Sequence, residues 1–439
     1  MCGVMTDTIL FLHGPFVRTS RIMLEGLSSF ASERGWQVMH FSPPQGADAS
    51  YIRRLADFWG AIGIVEDCGT ERNMPLPGDR LEVPFVCVDL DPSKVKSLTA
   101  ARHASHARTL GFVNADSDLF VQMAVKELLL HDFASYAYVS AYHRRHWSER
   151  RREVFRQMIK DAGGDFHSFD GTHQETGDAA VGQRLGEWLK SLPKPCGLLA
   201  ANDRIAALVL SVAQRHGIAI PDMVSVIGID NDEMLCENIS PSLSSIEADF
   251  FQGGYLAGRC LAELLTGTTT ERGRIALTAP PQFSYGAKHL VQRLSTRRFK
   301  KQMPSVRNAV DFIRRHATEG ISTSDILPLL GGSRRSAEKR FRAATGKSIL
   351  EEIIDVRFEK LLPLLEHSHI ALNALAEQTG FTSANQLQRQ FKARFGMTLS
   401  GYRKQSKAPI GDAPPHSALR PVSKPACAEA KRGSGSRSP

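Results

Sequence analysis

The first 290 residues alternate short apolar runs with amphipathic stretches, and that rhythm leaves few folds open. "TILFLHG" precedes a helical pattern from Arg21 to Arg34. "QVMHFS", "AIGIVED" and "PFVCVDL" follow as further strands, and later come "YAYVS", "CGLLAAND" and "VSVIGID", each trailed by a helical or loop segment. Short strands that alternate with helices pair in parallel and are covered on both faces. Ligands of such folds bind beyond the carboxyl ends of the strands. The polar residues expected there are His13, Asp67, Asp89, Asn202, Asp203 and Asp230.

A second domain is visible in the charge. Residues 297–404 hold 20 Lys+Arg against 10 Asp+Glu, a net +10, whereas the whole 439-residue chain is only +9. The remainder therefore sums to −1, and the basic character belongs to one C-terminal block. A positive domain joined to a nearly neutral one is the electrostatic footprint of nucleic-acid binding, with a solvated basic surface as the plainer alternative. After Lys407 the composition turns to Pro, Ala, Ser, Gly and Lys and ends "KRGSGSRSP", which reads as a disordered tail. The expected organisation is a sensor over 1–290, a linker over 291–303 containing "STRRFKKQMPS" in part, a DNA-binding domain over 304–405 and a tail over 406–439.

Several chemistries are excluded by what is missing. Seven scattered cysteines include no CxxC and no Cys/His spacing, so buried reduced thiols are expected and no metal. "ATGKS" (Ala344 to Ser348) resembles the end of a phosphate-binding loop, but Phe341 stands where the leading glycine is required. His143 and His146 in "HRRHW" lack a third ligand. No G-x-S-x-G elbow and no HExxH occurs, so hydrolase signatures are absent. The N-terminal apolar run lacks a basic leader and reads as a first strand, no 18-residue apolar stretch exists, and a cytoplasmic protein without cofactor or membrane span is expected.

The C-terminal block contains the same pattern twice. "GGSRRSAEKRFRAATG" (Gly331 to Gly346) and "GFTSANQLQRQFKARFG" (Gly380 to Gly396) each begin with a glycine turn and a serine able to cap a helix, Ser333 and Ser383. Each continues as a basic helix and ends F-x-x-x-x-G, with Phe341 and Phe391 lying 50 residues apart. Each follows an apolar helix, "TSDILPLLG" or "ALNALAEQTG". Helix, glycine turn and capped basic helix make a helix-turn-helix unit. Leu387, Phe391 and Phe395 share one face and form a docking seam. The other faces carry amides and cations, the groups that pair with base edges.

These residues carry a resemblance. "ALAEQTGFTSANQLQRQFKARFGMTLSGYR" resembles the C-terminal signature of the AraC-type transcription regulators, over about a quarter of the chain. That family's fold implies two all-α helix-turn-helix units joined by a long helix beginning near Ile349. The base-facing residues it implies are Arg334, Arg335, Glu338 and Lys339 in the first unit, and Ala384, Asn385, Gln386 and Arg389 in the second. Ser383, at the amino end of that helix, can meet a phosphate, and Lys392 at its far end suits a phosphate contact. Pro363 interrupts the linking helix and is expected to kink or end it. Leu387 stands where an aromatic is common, and Leu399 where a proline is usual.

The N-terminal part resembles the sensing domain of the LacI-type repressors, an α/β fold of two parallel-sheet lobes similar to periplasmic sugar-binding proteins. "CGLLAANDRIAALVL", "IPDMVSVIGIDNDEM" and "PSLSSIEADF" are its phrases, in order. The resemblance places effector contacts at Arg151, Asn202 and Asp230, with His13 and Asp203 at neighbouring strand ends. A carboxylate, an amide and a guanidinium together suit vicinal hydroxyls. Helix capping by Asn202, Asp203 or Asp230, and a solvated face for the run Arg150-Arg151-Arg152, are the competing structural roles. A sugar sensor followed by an AraC-type reader is the arrangement of the xylose-operon regulators. It implies a homodimer on a double-stranded operator, answering to a xylose-like sugar, with apolar residues of the Arg21 to Arg34 helix as a dimer face. The alternatives are a regulator with a non-pentose or lost effector and, from another class, a sugar-modifying enzyme with a basic docking domain. Against the last stands the lack of a paired catalytic carboxylate or nucleophile motif.

Overall fold

The computed structural model describes residues 7–406 except 16, 45, 70–82, 96–108, 143–144, 171–178, 267, 271–272, 276–279, 298–303 and 368–369. His143, Cys2, Cys427, the end of the expected linker and the tail from 407 lie outside the described residues. The chain divides into two compact units, Met1–Arg298 and Phe299–Pro439.

The first unit is α/β. Its elements run β1 (Thr8–Leu12), α1 (Arg18–Arg34), β2 (Gln37–Phe41), α2 (Ala49–Trp59), β3 (Ala61–Asp67), β4 (Phe85–Val88) and β5 (Leu110–Ala115), then α3 (Ser117–Leu128), β6 (Ser135–Val139), α4 (His146–Asp161), β7 (Phe166–Phe169) and α5 (Ala179–Ser191). They continue as β8 (Cys196–Ala200), α6 (Asp203–Arg215), β9 (Val224–Ile229), α7 (Glu233–Asn238), β10 (Ser244–Ala248), α8 (Phe250–Thr266), a small hairpin β11 (Thr268–Thr270) and β12 (Gly273–Ile275), β13 (Gln282–Tyr285) and β14 (Ala287–Val291). Two six-stranded sheets result, ordered β13-β5-β4-β3-β1-β2 and β14-β10-β9-β8-β6-β7. Within these two sheets every pairing is parallel except β10 with β14. The chain crosses between the lobes three times: after β5, after β10 and between β13 and β14. Strands β1, β6, β8 and β9 are buried along their whole length, which is why they read as unbroken apolar runs instead of alternating ones.

The apolar face of α1 meets α8 of the same chain and is not left open as a dimer face. Gly26 and Gly254 set that crossing. A Cβ on Gly26 would lie 2.0 Å from the Phe251 carbonyl oxygen, and one on Gly254 would lie 1.9 Å from that of Met23. With both side chains absent the backbones close, and Met23, Leu27 and Phe30 are buried in the seam.

The second unit is all-α: α9 (Pro304–His316), a 3-10 turn (Ala317–Glu319), α10 (Thr323–Leu330), α11 (Arg334–Thr345), α12 (Ile349–His367), α13 (Leu372–Gln378), α14 (Ala384–Phe395) and α15 (Leu399–Ser406). The long helix α12 runs through Pro363 for four more residues. Leu361 and Leu365, both fully buried in the second half of the unit, hold the helix on either side of the proline. Phe341 and Phe391 are also fully buried, and Gly346 and Gly396 close their helices at φ +78° and +72°. The repeated F-x-x-x-x-G is therefore an anchor followed by a left-handed helix cap.

Candidate functional sites in the sensor cleft and on the reading helices

In the first unit the carboxyl ends of both sheets turn toward one another. Arg18, at the start of α1 in the first lobe, donates from Nη1 to the Asp230 backbone oxygen of the second lobe at 3.3 Å. On the first-lobe side, Asp67 accepts from Ser20 Oγ (2.8 Å) and the Gly69 N–H (3.2 Å). Asp89, at φ +55°, accepts from the Ala115 N–H (2.7 Å) and from the Tyr285 hydroxyl (2.5 Å). His13 is buried, bonded to the Gly14 carbonyl (2.8 Å) and to His40 (3.3 Å). Burial raises the carboxyls of Asp67, to about 6, and of Asp89. It raises that of Asp230 to about 8, against the opposing pull of Arg151 and Arg18.

The arginine run resolves by register. Arg150 pairs with Asp118, and Arg152 with Asp170 and Glu149, all at the surface side of α4. Arg151 turns inward and is 5% exposed. Its guanidinium carbon lies 5.1 Å from the Phe120 ring centroid and 4.8 Å from that of Trp147. Its Nη1 donates to the Ala201 carbonyl at 2.6 Å, and its buried Nε has no hydrogen-bond partner. Arg151 acts electrostatically on both Asp89 and Asp230, one from each lobe. Sequence reading passed over Trp147 and Tyr285. For Trp147 a signal was available, since it lies four residues before Arg151 and so on the same helix face.

The other sensor residues divide by how their atoms are used. Asn202 caps α6, its Oδ1 accepting from the Ile205 N–H at 3.1 Å. Asp203 is 2% exposed and spends both oxygens inside the lobe, on Ser245 Oγ (2.5 Å) and on the Asp232 N–H (2.7 Å). The residue at the N-cap of α7 is Asp232, so the Asp230 side chain is not needed as its cap.

In the second unit α11 and α14 present matching exposed faces. Ser333 accepts from the Ser336 N–H (3.4 Å) and Ser383 from the Gln386 N–H (3.2 Å), so both serines cap as read. Arg334, Arg335 and Lys339 are exposed, with Arg334 paired to Glu338 at 3.0 Å. Asn385, Gln388, Arg389 and Lys392 are exposed on α14, beside Thr398 and Ser400 at the start of α15. Ala384 is half-buried. Gln386 folds back, its Oε1 accepting from the Thr382 N–H (2.9 Å) and hydroxyl (2.8 Å). Two residues of α12 that sequence reading passed over tie the halves together. Arg357 donates to the Ala317 (2.8 Å) and Ile321 (2.7 Å) carbonyls and stacks on Phe381. Asp355 pairs with Lys347 (2.6 Å) and Arg394 (2.7 Å), at the far ends of the two repeats.

A sequence profile of the periplasmic binding protein-like domain family matches residues 125–286, and one of a helix-turn-helix domain family matches residues 329–405. The chain is 29% identical over 389 residues to the xylose operon regulatory protein of Escherichia coli (strain K12), spanning 87% of this chain and 93% of that protein. It is also 29% identical over 296 residues to the protein of the same name from Haemophilus influenzae, spanning 66% of this chain and 74% of that one. Among solved structures, that of the xylose-binding transcription activator xylR aligns at a TM-score of 0.53 and 23% identity, over 91% of this chain and 98% of that one. At that identity the likeness is one of fold. It spans both units in the same order.

Proposed function

We propose that this chain, a sugar-responsive DNA-binding transcription regulator and not an enzyme, built of a periplasmic-binding-like sensor and a C-terminal AraC-type reader, answers to D-xylose or a closely related sugar. The observation that carries the reading is Arg151. A guanidinium stacked between Phe120 and Trp147, buried and facing carboxyls of both lobes, is a poor structural device and a good hydroxyl-binding one. Asp89, Asp230 and Arg151 then grip the sugar hydroxyls, and Trp147 offers an apolar face to the sugar ring. Asn202 and His13 border the cleft, and Asp203 supports the Asp230 loop from behind. The xylose operon relatives support the choice of sugar.

On the DNA side, Arg335, Lys339, Asn385 and Arg389 are the proposed base readers. Arg334 and Glu338 contribute as an ion pair, and Ala384 allows close approach. Lys392 and Ser383 meet phosphates. Gln386 reads a base only after releasing Thr382. The regulator acts in the cytoplasm as a homodimer on paired half-sites. Among the described residues no helix is long and apolar enough to cross a membrane. Thermal-shift measurements of the full chain against a panel of neutral monosaccharides test the reading. A rise with D-xylose is expected. A rise with another sugar alone would move the effector, and no rise with any would refute the sensor assignment.

A further inference from the structure

Arg293 stands two residues after β14, where the chain prepares to leave the second lobe, and it is 1% exposed. Its Nη1 donates to Asn231 Oδ1 (3.0 Å) and to the Leu243 carbonyl (3.0 Å), and its Nη2 reaches Glu237 at 3.5 Å. The residues around it are stitched into the lobe. The Arg293 N–H donates to Ser244 Oγ (2.7 Å), and Ser295 Oγ donates to the Val226 carbonyl (2.6 Å). The Ser295 N–H donates to the Ser242 carbonyl (2.9 Å), and the Thr296 and Ser244 hydroxyls share a bond of 2.7 Å. Beyond Thr296 the chain passes to α9 and the reading domain.

The other end of this network is the loop 230–232. Asp230 and Asn231 adopt φ +110° and +48°, conformations that side-chain-bearing residues keep only when held. Several ties hold them, among them a bond from Asn231 Nδ2 to Glu247 Oε2 (3.3 Å) and one from the Asp230 N–H to the Ile246 carbonyl (2.9 Å). Arg18 of the first lobe binds the Asp230 carbonyl. From the lobe interior, Ser245 Oγ accepts the Asn231 N–H (3.0 Å) and donates to Asp203, which also accepts the Asp232 N–H. Arg293 binds the Asn231 side chain. A buried guanidinium is costly unless its donors are matched. Any shift of this loop that follows occupation of the cleft therefore unpairs Arg293 or carries it along.

We propose that the Asn231–Arg293 pair couples the effector cleft to the segment leading into the reading domain, as a positioning device that touches neither sugar nor DNA. The inference rests on the sensor reading above. Asn231→Gly tests it, because glycine accepts φ +48° and removes the amide with its bonds to Arg293 and Glu247. Operator fragments selected from a random library by the full chain serve as the DNA probe, and D-xylose as the effector. In the wild type, xylose changes the affinity for this DNA by a measurable factor. In Asn231→Gly, xylose should still bind within threefold of wild type while that factor falls to within twofold of one. Glu247→Ala, which removes the other partner of the Asn231 amide and leaves the Arg293 pair, should retain it. An unchanged factor in Asn231→Gly, or loss of xylose binding itself, would overturn the proposal. If xylose has no effect on the wild type, the sensor reading has failed, and the coupling is then read without effector. Amide exchange at residues 293–296 should rise more than tenfold in Asn231→Gly, and unchanged exchange would overturn it.

Discussion

Truncating Phe391 to alanine should unfold the second reading unit and leave the sensor intact. The ring is fully buried. It packs 4.5 Å from the centroid of Phe395 and meets Phe358 and Tyr402 edge-on at 6.0 and 5.6 Å. Loss of a buried phenyl ring costs about 3–5 kcal/mol, and the two edge-on partners place this one at the upper end. A domain has only about 5–15 kcal/mol of stability in total. At about 4–8 °C per kcal/mol for a unit of this size, the melting point of the reading domain should fall by about 15–40 °C. The chain offers a convenient separation of signals. All four tryptophans, Trp36, Trp59, Trp147 and Trp188, lie in the first unit. Tryptophan fluorescence therefore follows the sensor, while helical circular dichroism follows both units. The expected result is an early dichroism step in Phe391→Ala with an unmoved fluorescence transition, and loss of operator binding above the early step. Phe395→Ala, whose ring is only partly buried, should shift the step far less. A cost for Phe391→Ala below about 1.5 kcal/mol would refute the anchor role of the repeated phenylalanine. A fluorescence transition that moves in parallel would refute the independence of the units.

Three further outcomes are expected. Arg389→Ala should relax preference at one operator base pair, whereas Lys392→Ala should weaken all sequences alike and lower the salt slope by about one, as read on single-base operator variants at two salt concentrations. Asp230→Ala should remove the xylose-induced thermal shift, since a hydrogen bond contributes about 0.5–1.5 kcal/mol with a neutral carboxyl and about 1.5–3 kcal/mol with a charged one, and operator binding without sugar should persist; a normal shift would count against the cleft. Burial raises the Asp230 carboxyl from 3.8 to about 8, so the folded sensor holds a proton that the unfolded chain releases. That contribution is complete below about pH 4 and is lost as pH rises through about 8. Urea midpoints followed by fluorescence should therefore decline from pH 5 to pH 8.5, and decline less in Asp230→Asn; an equal slope in both would show that Asp230 titrates normally.

Much of this protein was decided by sequence alone, because its signals are local. Strands buried on both faces must be continuously apolar, so β1, β3, β4, β6, β8 and β9 could be read directly. Helix caps and left-handed turns depend on one or two residues, so Ser333, Ser383, Gly346 and Gly396 could be placed without a partner. A charge excess confined to one block needs no geometry to be seen. What the tertiary structure decided is what depends on a second segment far along the chain. It turned Arg151 inward and left Arg150 and Arg152 to surface ion pairs, because only that position of α4 faces Phe120 and the opposite lobe. It covered the apolar face of α1 with α8, because two glycines more than two hundred residues apart let the helices touch. It carried α12 through Pro363, because packing of Leu361 and Leu365 outweighs a missing backbone bond. It also buried Arg293 against Asn231, a pairing between loops that no periodicity announces.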